Sequence, residues 1–180
     1  MLGTCGVEPA GELAARIIGP WENANLVYGF GQPSRQIPEE IAKNAVRAAF
    51  ATWARASSKI TFTESFFKLH ILVEFREAGD PDIDMRGGTI AHADFPPNFG
   101  FSSRLPLPLH FDDTEHRWSI GKQEGAFDLE TVALHEAGHL LGLMHSSKAG
   151  SVMVPSVRPN FIKRKLHRDD VIGIHALYGP

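Results

Sequence analysis

One cysteine, Cys5, in 180 residues excludes an intramolecular disulfide, so stability must come from a packed core or from bound metal. Basic residues are not in excess either. Eighteen Lys and Arg against 21 Asp and Glu leave a net charge of −3, which gives no general attraction to nucleic acid or to an anionic membrane. No apolar run approaches the roughly 20 residues that a membrane span needs. Residues 1–20 lack a basic start followed by an apolar block, so no signal peptide is visible; that absence does not argue for the cytosol. Internal repeats, low-complexity tracts and domain linkers are missing too. What is there, 43% apolar and 22% charged residues, suits one globular domain with its own core.

The chemistry is concentrated in His135 to His145, which reads HEAGHLLGLMH. On a helix, positions i and i+4 share a face, so His135 and His139 can turn both imidazoles to one metal ion. Glu136 stands next to the first ligand and can reach a water on that metal without binding it. Gly142 lets the chain leave the helix sharply, because glycine tolerates positive φ. The turn returns His145 as a third ligand. Three imidazoles and a water form the open tetrahedral arrangement of catalytic zinc. Met153 follows in Ser151-Val152-Met153-Val154-Pro155, at the place of the Met-turn that accompanies the extended HExxH motif.

The remaining elements follow from periodicity. Residues 1–20, rich in Gly, Ala and Pro, read as an arm. Asn25–Phe30, Ile60–Glu64, Ile71–Phe75, Thr89–Ala93 and Leu107–Phe111 are predicted strands, and the apolar run of Ile71–Phe75 points to a central one. Pro38–Ser57 is the clearest helix, with Ile41, Ala45, Val46, Ala49 and Trp53 at helical spacing. Phe127–Leu143 carries the metal motif, with Asp128 as its cap, and Asp169–Tyr178 is a closing helix.

With these residues in place the chain resembles a matrix metalloproteinase catalytic domain, the matrixin branch of the metzincins. Trp21–Phe30 resembles the family's first strand, HADFPP at His92–Pro97 its AHAFxP segment, and HFDDTEHRW at His110–Trp118 its HFDxDExW. DDVIGIHALYGP at Asp169–Pro180 resembles the closing helix, and Ser146 after the third histidine is matrixin-like. The resemblance implies an α+β, zincin-like fold: a twisted mixed five-stranded sheet, three helices, and a cleft above the zinc helix. It divides the chain into an arm at 1–20, resembling the end of a pro-segment, and a catalytic domain at 21–180. It implies a zinc endopeptidase, extracellular and monomeric, acting on protein or peptide substrates with Glu136 as base.

Further sites come from the resemblance alone. A structural zinc would use Asp80, His92 and His110; Ala78 stands where the family's loop has another histidine, and the alternative is two hydrogen-bonded strand histidines. A calcium ion would use Asp84, carbonyls of the Met85–Gly88 loop, Asp112 and Glu115; the alternative is a solvated acidic loop. An extended substrate would pair with Gly88, Thr89, Ile90 and Ala91, in the strand-addition mode. Thr131 would shape the floor of the adjoining pocket, and Pro155 with Val157 its wall, Val157 replacing the family's tyrosine. Ser102–Pro108 is longer than usual and lies next to the expected cleft rim. Gly3–Pro9, GTCGVEP, resembles an altered PRCGVPD cysteine switch with Thr4 in place of arginine. Cys5 is then an inhibitory zinc ligand or a free thiol on a mobile arm. Lys163, Arg164, Lys165 and Arg168 read as a solvated basic loop.

Two rivals remain. A non-catalytic zinc-binding interaction domain would need no base at Glu136. A small-molecule metallohydrolase would not need the strand and wall segments that suit a peptide.

Overall fold

The computed structural model describes residues 3–5 (backbone), 16–81, 84–100 and 104–180. In chain order these form β1 (Gly3–Cys5), β2 (Asn25–Phe30), α1 (Glu39–Ala54), β3 (Thr61–Glu64), β4 (Ile71–Arg76), β5 (Thr89–Ala93), β6 (Leu107–Asp112), β7 (Trp118–Ser119), β8 (Phe127–Asp128), α2 (Leu129–Leu140), β9 (Ser156–Val157) and α3 (Arg168–Tyr178). Five strands make a mixed sheet in the order β3-β2-β4-β6-β5; β1 and β9 extend it beyond β5. All neighbours within the five are parallel except β5 and β6. The class is the expected α+β.

The apolar run of β4 earns its central place, with Ile71, Val73 and Phe75 all buried. Glu74 interrupts the run and is buried as well; Arg76 Nη2 meets it at 2.7 Å, so the charge goes in paired. Next to β6, the antiparallel register sets His92 of β5 directly opposite His110. Their ring nitrogens lie 3.3 Å apart.

Helix α1 buries Ala42, Ala45, Val46, Ala49, Phe50 and Trp53. The small side chains let α2 approach closely, and the Trp53 indole crosses to donate to the Leu134 carbonyl at 2.8 Å. Ile41, read as part of this stripe, is 48% exposed; Ala42 and Phe50 take its share of the core. Asp128 caps α2 by accepting from the Thr131 amide at 3.1 Å, as its position suggested. At the other end of α2 two aromatic side chains take the last free carbonyls. Trp21 Nε1 donates to Leu140 at 2.7 Å, and the Tyr178 hydroxyl donates to Leu141 at 2.8 Å.

Candidate active site

His135 and His139 sit one turn apart on α2, and their Nε2 atoms come within 3.1 Å of each other. Each Nδ1 faces a backbone carbonyl, His135 toward Val152 at 2.8 Å and His139 toward Leu143 at 2.7 Å. A carbonyl only accepts, so each Nδ1 carries the proton and each Nε2 keeps its lone pair for a metal. Burial holds the His135 pKa down to about 3 and His139 well below its ordinary value, so both rings are neutral.

Gly142 follows at φ 93°, and an added Cβ there would strike the Gly19 carbonyl oxygen; the turn needs glycine on both counts. Beyond it, His145 brings a third nitrogen, and the three ligand atoms lie within 4.8 Å of one another. Phe95, from the HADFPP segment, meets His139 edge-on at 5.4 Å. Glu136 is 1% exposed and borders the same cavity as His135. The donor set therefore fits a catalytic zinc: three converging imidazoles, two of them neutral and oriented by backbone carbonyls, with a carboxylate alongside.

Met153 packs against the motif's helix at Gly138. Its thioether lies against Gly138, where a Cβ would come 2.3 Å from Sδ, so the small residue inside HEAGH is the seat of the methionine. The Met153 turn is held from α3. Val152 N donates to Asp170 Oδ2 at 3.0 Å, Ser151 Oγ donates to Asp170 Oδ1, and Ser146 Oγ donates to Asp169 Oδ2 at 2.6 Å. These aspartates were read only as the start of a packing helix, and nothing in local periodicity marks them as supports for the histidines.

Beside the histidines opens a largely apolar cleft. Ile90, Thr131, Pro155 and Val157 line it, together with Val132, Val154 and Phe161. Thr131 and the Pro155–Val157 segment thus border one cavity. Sequence reasoning missed Phe161 and Lys163. The latter also lines the cleft and donates through Nζ to the carbonyls of Ala149 at 3.1 Å and Ser151 at 2.7 Å. Residues 20–179 match the matrixin peptidase family over nearly the whole chain.

The chain belongs to the matrixin family. It is 35% identical to an interstitial collagenase of Sus scrofa, over 98% of this chain and 36% of the relative. It is 37% identical to metalloendoproteinase 1-MMP of Arabidopsis thaliana, over 89% and 44%, and 34% identical to karilysin of Tannerella forsythia, over 88% and 33%. The chain thus spans less than half the length of these relatives.

Within this matrixin, the arm lies where a substrate strand was expected. The backbone of β1 pairs in parallel with β5, Thr4 opposite Thr89 and Cys5 opposite Ala91. On its other side β1 runs antiparallel to β9, Gly3 opposite Val157 and Thr4 opposite Ser156. Gly88 precedes this edge at φ 120°. The side chain of Cys5 lies outside the described residues, as does Ser102 at the start of the long loop.

Among the described residues, only two groups of three donors converge within 4.8 Å: His135 with His139 and His145, and Asp112 with Glu115 and His116. Asp80, His92 and His110 do not form a third. Burial, and then the neighbouring His110, lower the His92 pKa to about 3. Asp80 instead faces the Arg76 guanidinium at 3.4 Å, so a cation already sits beside that carboxylate. The Ala78 that replaces a histidine is buried, and its amide donates to Thr114 Oγ1 at 2.9 Å. Of the calcium residues, Asp112 and Glu115 come together, whereas exposed Asp84 is gripped by Arg86 Nε and Nη2, both at 2.8 Å. Met85 is fully buried and pins that loop.

The basic loop is not simply solvated. Arg164 Nε bonds Asp128 at 2.9 Å and Nη1 pairs with Glu130 at 2.9 Å, so it braces the capped start of α2.

Proposed function

We propose that this matrixin is a zinc-dependent endopeptidase that cleaves extended protein or peptide segments. The observation that carries the reading is the buried Glu136 carboxylate beside three converging imidazoles at the edge of an apolar cleft. His135, His139 and His145 would hold the ion. Zinc, when bound, supplies a Lewis acid that polarises the scissile carbonyl and acidifies a water. Glu136 takes that water's proton on its carboxylate and passes it to the leaving amine nitrogen. Val132, Val154, Pro155, Val157 and Phe161 around the cleft suit an apolar substrate side chain, with Thr131 at its floor and Ile90 at its rim. Extended substrate backbone would add to the edge at Gly88–Ala91.

A latent form belongs to the same proposal. In the structure the backbone of Gly3–Cys5 occupies both edges that an extended peptide would use, β5 and β9. Cys5 is the residue through which a thiolate could take the zinc's remaining position, since thiolate is a good zinc ligand. Extracellular action and a monomeric state complete the reading.

Hydrolysis of casein or denatured collagen tests it. The arm-free protein should cleave with zinc and stop with chelator. Glu136→Ala should keep one zinc and the fold but lose nearly all turnover. His139→Ala should lose zinc as well. Undiminished turnover in Glu136→Ala would remove the base from the mechanism. Zinc binding without any peptide cleavage would favour an interaction domain.

A further inference from the structure

The wall of the cleft carries an ammonium, Lys163, to which the peptidase reading gives no task. The chain holds this residue from both ends. Its backbone N–H donates to Thr131 Oγ1 at 2.9 Å. Its Nζ donates to the carbonyls of Ala149 at 3.1 Å and Ser151 at 2.7 Å. Ser151 directly precedes Val152, and the Phe161 ring centroid lies 5.9 Å from Nζ. Thr131, Val152 and Phe161 all line the cleft, so the half-buried charge stands among its walls.

An ammonium has three N–H groups, and the two carbonyls take two of them. Among the described residues no carboxylate pairs with this Nζ. The acidic groups of neighbouring elements are committed elsewhere. Asp170 receives Val152 N and Ser151 Oγ, while Asp128 and Glu130 hold Arg164. Arg158 adds a second cation on the same wall, 5.2 Å from the Phe161 ring centroid. Burial lowers the Lys163 pKa, and the charge of Asp170 only partly opposes it. Burying a charge is costly unless it is paired, and carbonyls bring no opposite charge. A ligand carboxylate at the third N–H would bring it. The way to that point is apolar, past Val132, Val154, Val157 and Phe161. A side chain that fits both features joins an apolar stem to an anionic tip. Glutamate carries its carboxylate on a longer stem than aspartate, and leucine and methionine carry no charge.

We propose that Lys163 is a specificity-determining residue, which sets this cleft to prefer a glutamate side chain of the peptide substrate over uncharged side chains of similar size. The peptide nature of the ligand rests on the peptidase reading; the capture of a carboxylate by the ammonium does not.

The test uses the zinc-loaded full chain and has two arms. Pentanoate and 1-pentanol, titrated by NMR, present one stem with and without a charge. Wild type should bind pentanoate at least about tenfold more tightly than pentanol, since hydrogen bonds to charged groups have effects of that size. Lys163→Met should lose most of that preference and Lys163→Arg should keep it. Zinc also accepts carboxylates, so the comparison is made between proteins that hold the same zinc. In the second arm, peptides identical except for Glu, Gln or Leu at the positions flanking the scissile bond give ratios of kcat/KM, which partial latency leaves unchanged. At one of these positions wild type should favour Glu over Gln at least about tenfold, by the same charged hydrogen bond. Lys163→Met should lose that preference. The same pentanoate preference in wild type and Lys163→Met would overturn the proposal, and so would the same Glu-to-Gln ratio in both. Pentanoate binding that depends on Lys163, with no peptide cleaved, would support the ammonium's role and count against the peptidase reading.

Discussion

Asp170 receives the backbone N–H of Val152 at 3.0 Å, and the carbonyl of that same Val152 faces Nδ1 of His135 at 2.8 Å. One peptide segment therefore connects the first turn of the last helix to the orientation of the first ring of the histidine triad. Asp170 also accepts from Ser151 Oγ and from His167 N, the latter at 2.7 Å. Asp170→Ala strands all three donors, two of them in buried residues. We expect a loss of about 3 kcal/mol in stability and a zinc affinity about 10–100-fold weaker. Denaturant titration and competition with a zinc chelator measure the two effects. Weakened zinc without lost stability would mean that Asp170 acts on the ring alone.

Gly138→Ala probes the seat of Met153. The new Cβ would fall 2.3 Å from Sδ and 2.9 Å from Cε, with Trp53 at 3.1 Å behind. Helix propensity alone favours alanine by about 1 kcal/mol. Overpacking of this kind costs about 1–3 kcal/mol. The variant should therefore be less stable than wild type, and shortening the methionine in Gly138→Ala/Met153→Ala should recover part of the loss. A more stable Gly138→Ala would show that the thioether moves aside freely.

Acid should destabilise the metal-free protein through its buried imidazoles. His92 and His135 both have pKa values lowered to about 3, chiefly by burial, against an ordinary value near 6.5. Below pH 6.5 the unfolded chain binds protons that the fold refuses, so stability falls as pH drops from about 6.5 toward 3. Each such ring contributes a slope of about 1.4 kcal/mol per pH unit in that window. Urea midpoints at pH 7.5, 6.5 and 5.5, with metal removed, give the slope directly. A flat profile would place these rings in contact with water.

Removal of the arm should raise activity. Gly3–Cys5 hydrogen-bonds along the same two strands that an extended substrate would use, so the two compete for one place. If Cys5 also binds the zinc, Cys5→Ser alone should activate the full chain, and a thiol reagent should react slowly with the zinc-loaded protein. Activation by truncation but not by Cys5→Ser would assign the block to backbone pairing alone. Equal activity in all three forms, with rapid thiol titration, would leave a mobile arm.

The metal motif was legible because its chemistry is local: i and i+4 on a helix converge whatever surrounds them, and Gly142 and His145 follow within six residues of His139. Strand and helix positions were legible for the same reason, from periods of two and 3.6. What stayed hidden depends on contacts across the chain. The role of Gly138 appears only when Met153 and Trp53 arrive from other elements. Asp170 looks like a helix-start aspartate until the Ser151–Val152 turn lies against it. Ile41 had the right spacing and still faces solvent, because the width of the buried stripe is set by the helix and sheet packed against it. His116 stood in a quoted motif with no role assigned to it, since only the folded turn brings its nitrogen to Asp112.

The segment leading into the domain sets a limit on how the arm could be shed. Ile18 N donates to the Gly142 carbonyl at 2.9 Å, Met144 N donates to the Arg16 carbonyl at 2.8 Å, and both bonds grip the short turn between His139 and His145. A cut that frees Gly3–Cys5 but lands after Ile18 would sever these bonds and loosen the third histidine. If the arm blocks the cleft as proposed, the cut that relieves it and keeps these bonds lies between Cys5 and Arg16. A form trimmed further would lose this grip on the turn, so the truncated protein to compare with the full chain is the one that still begins upstream of Arg16.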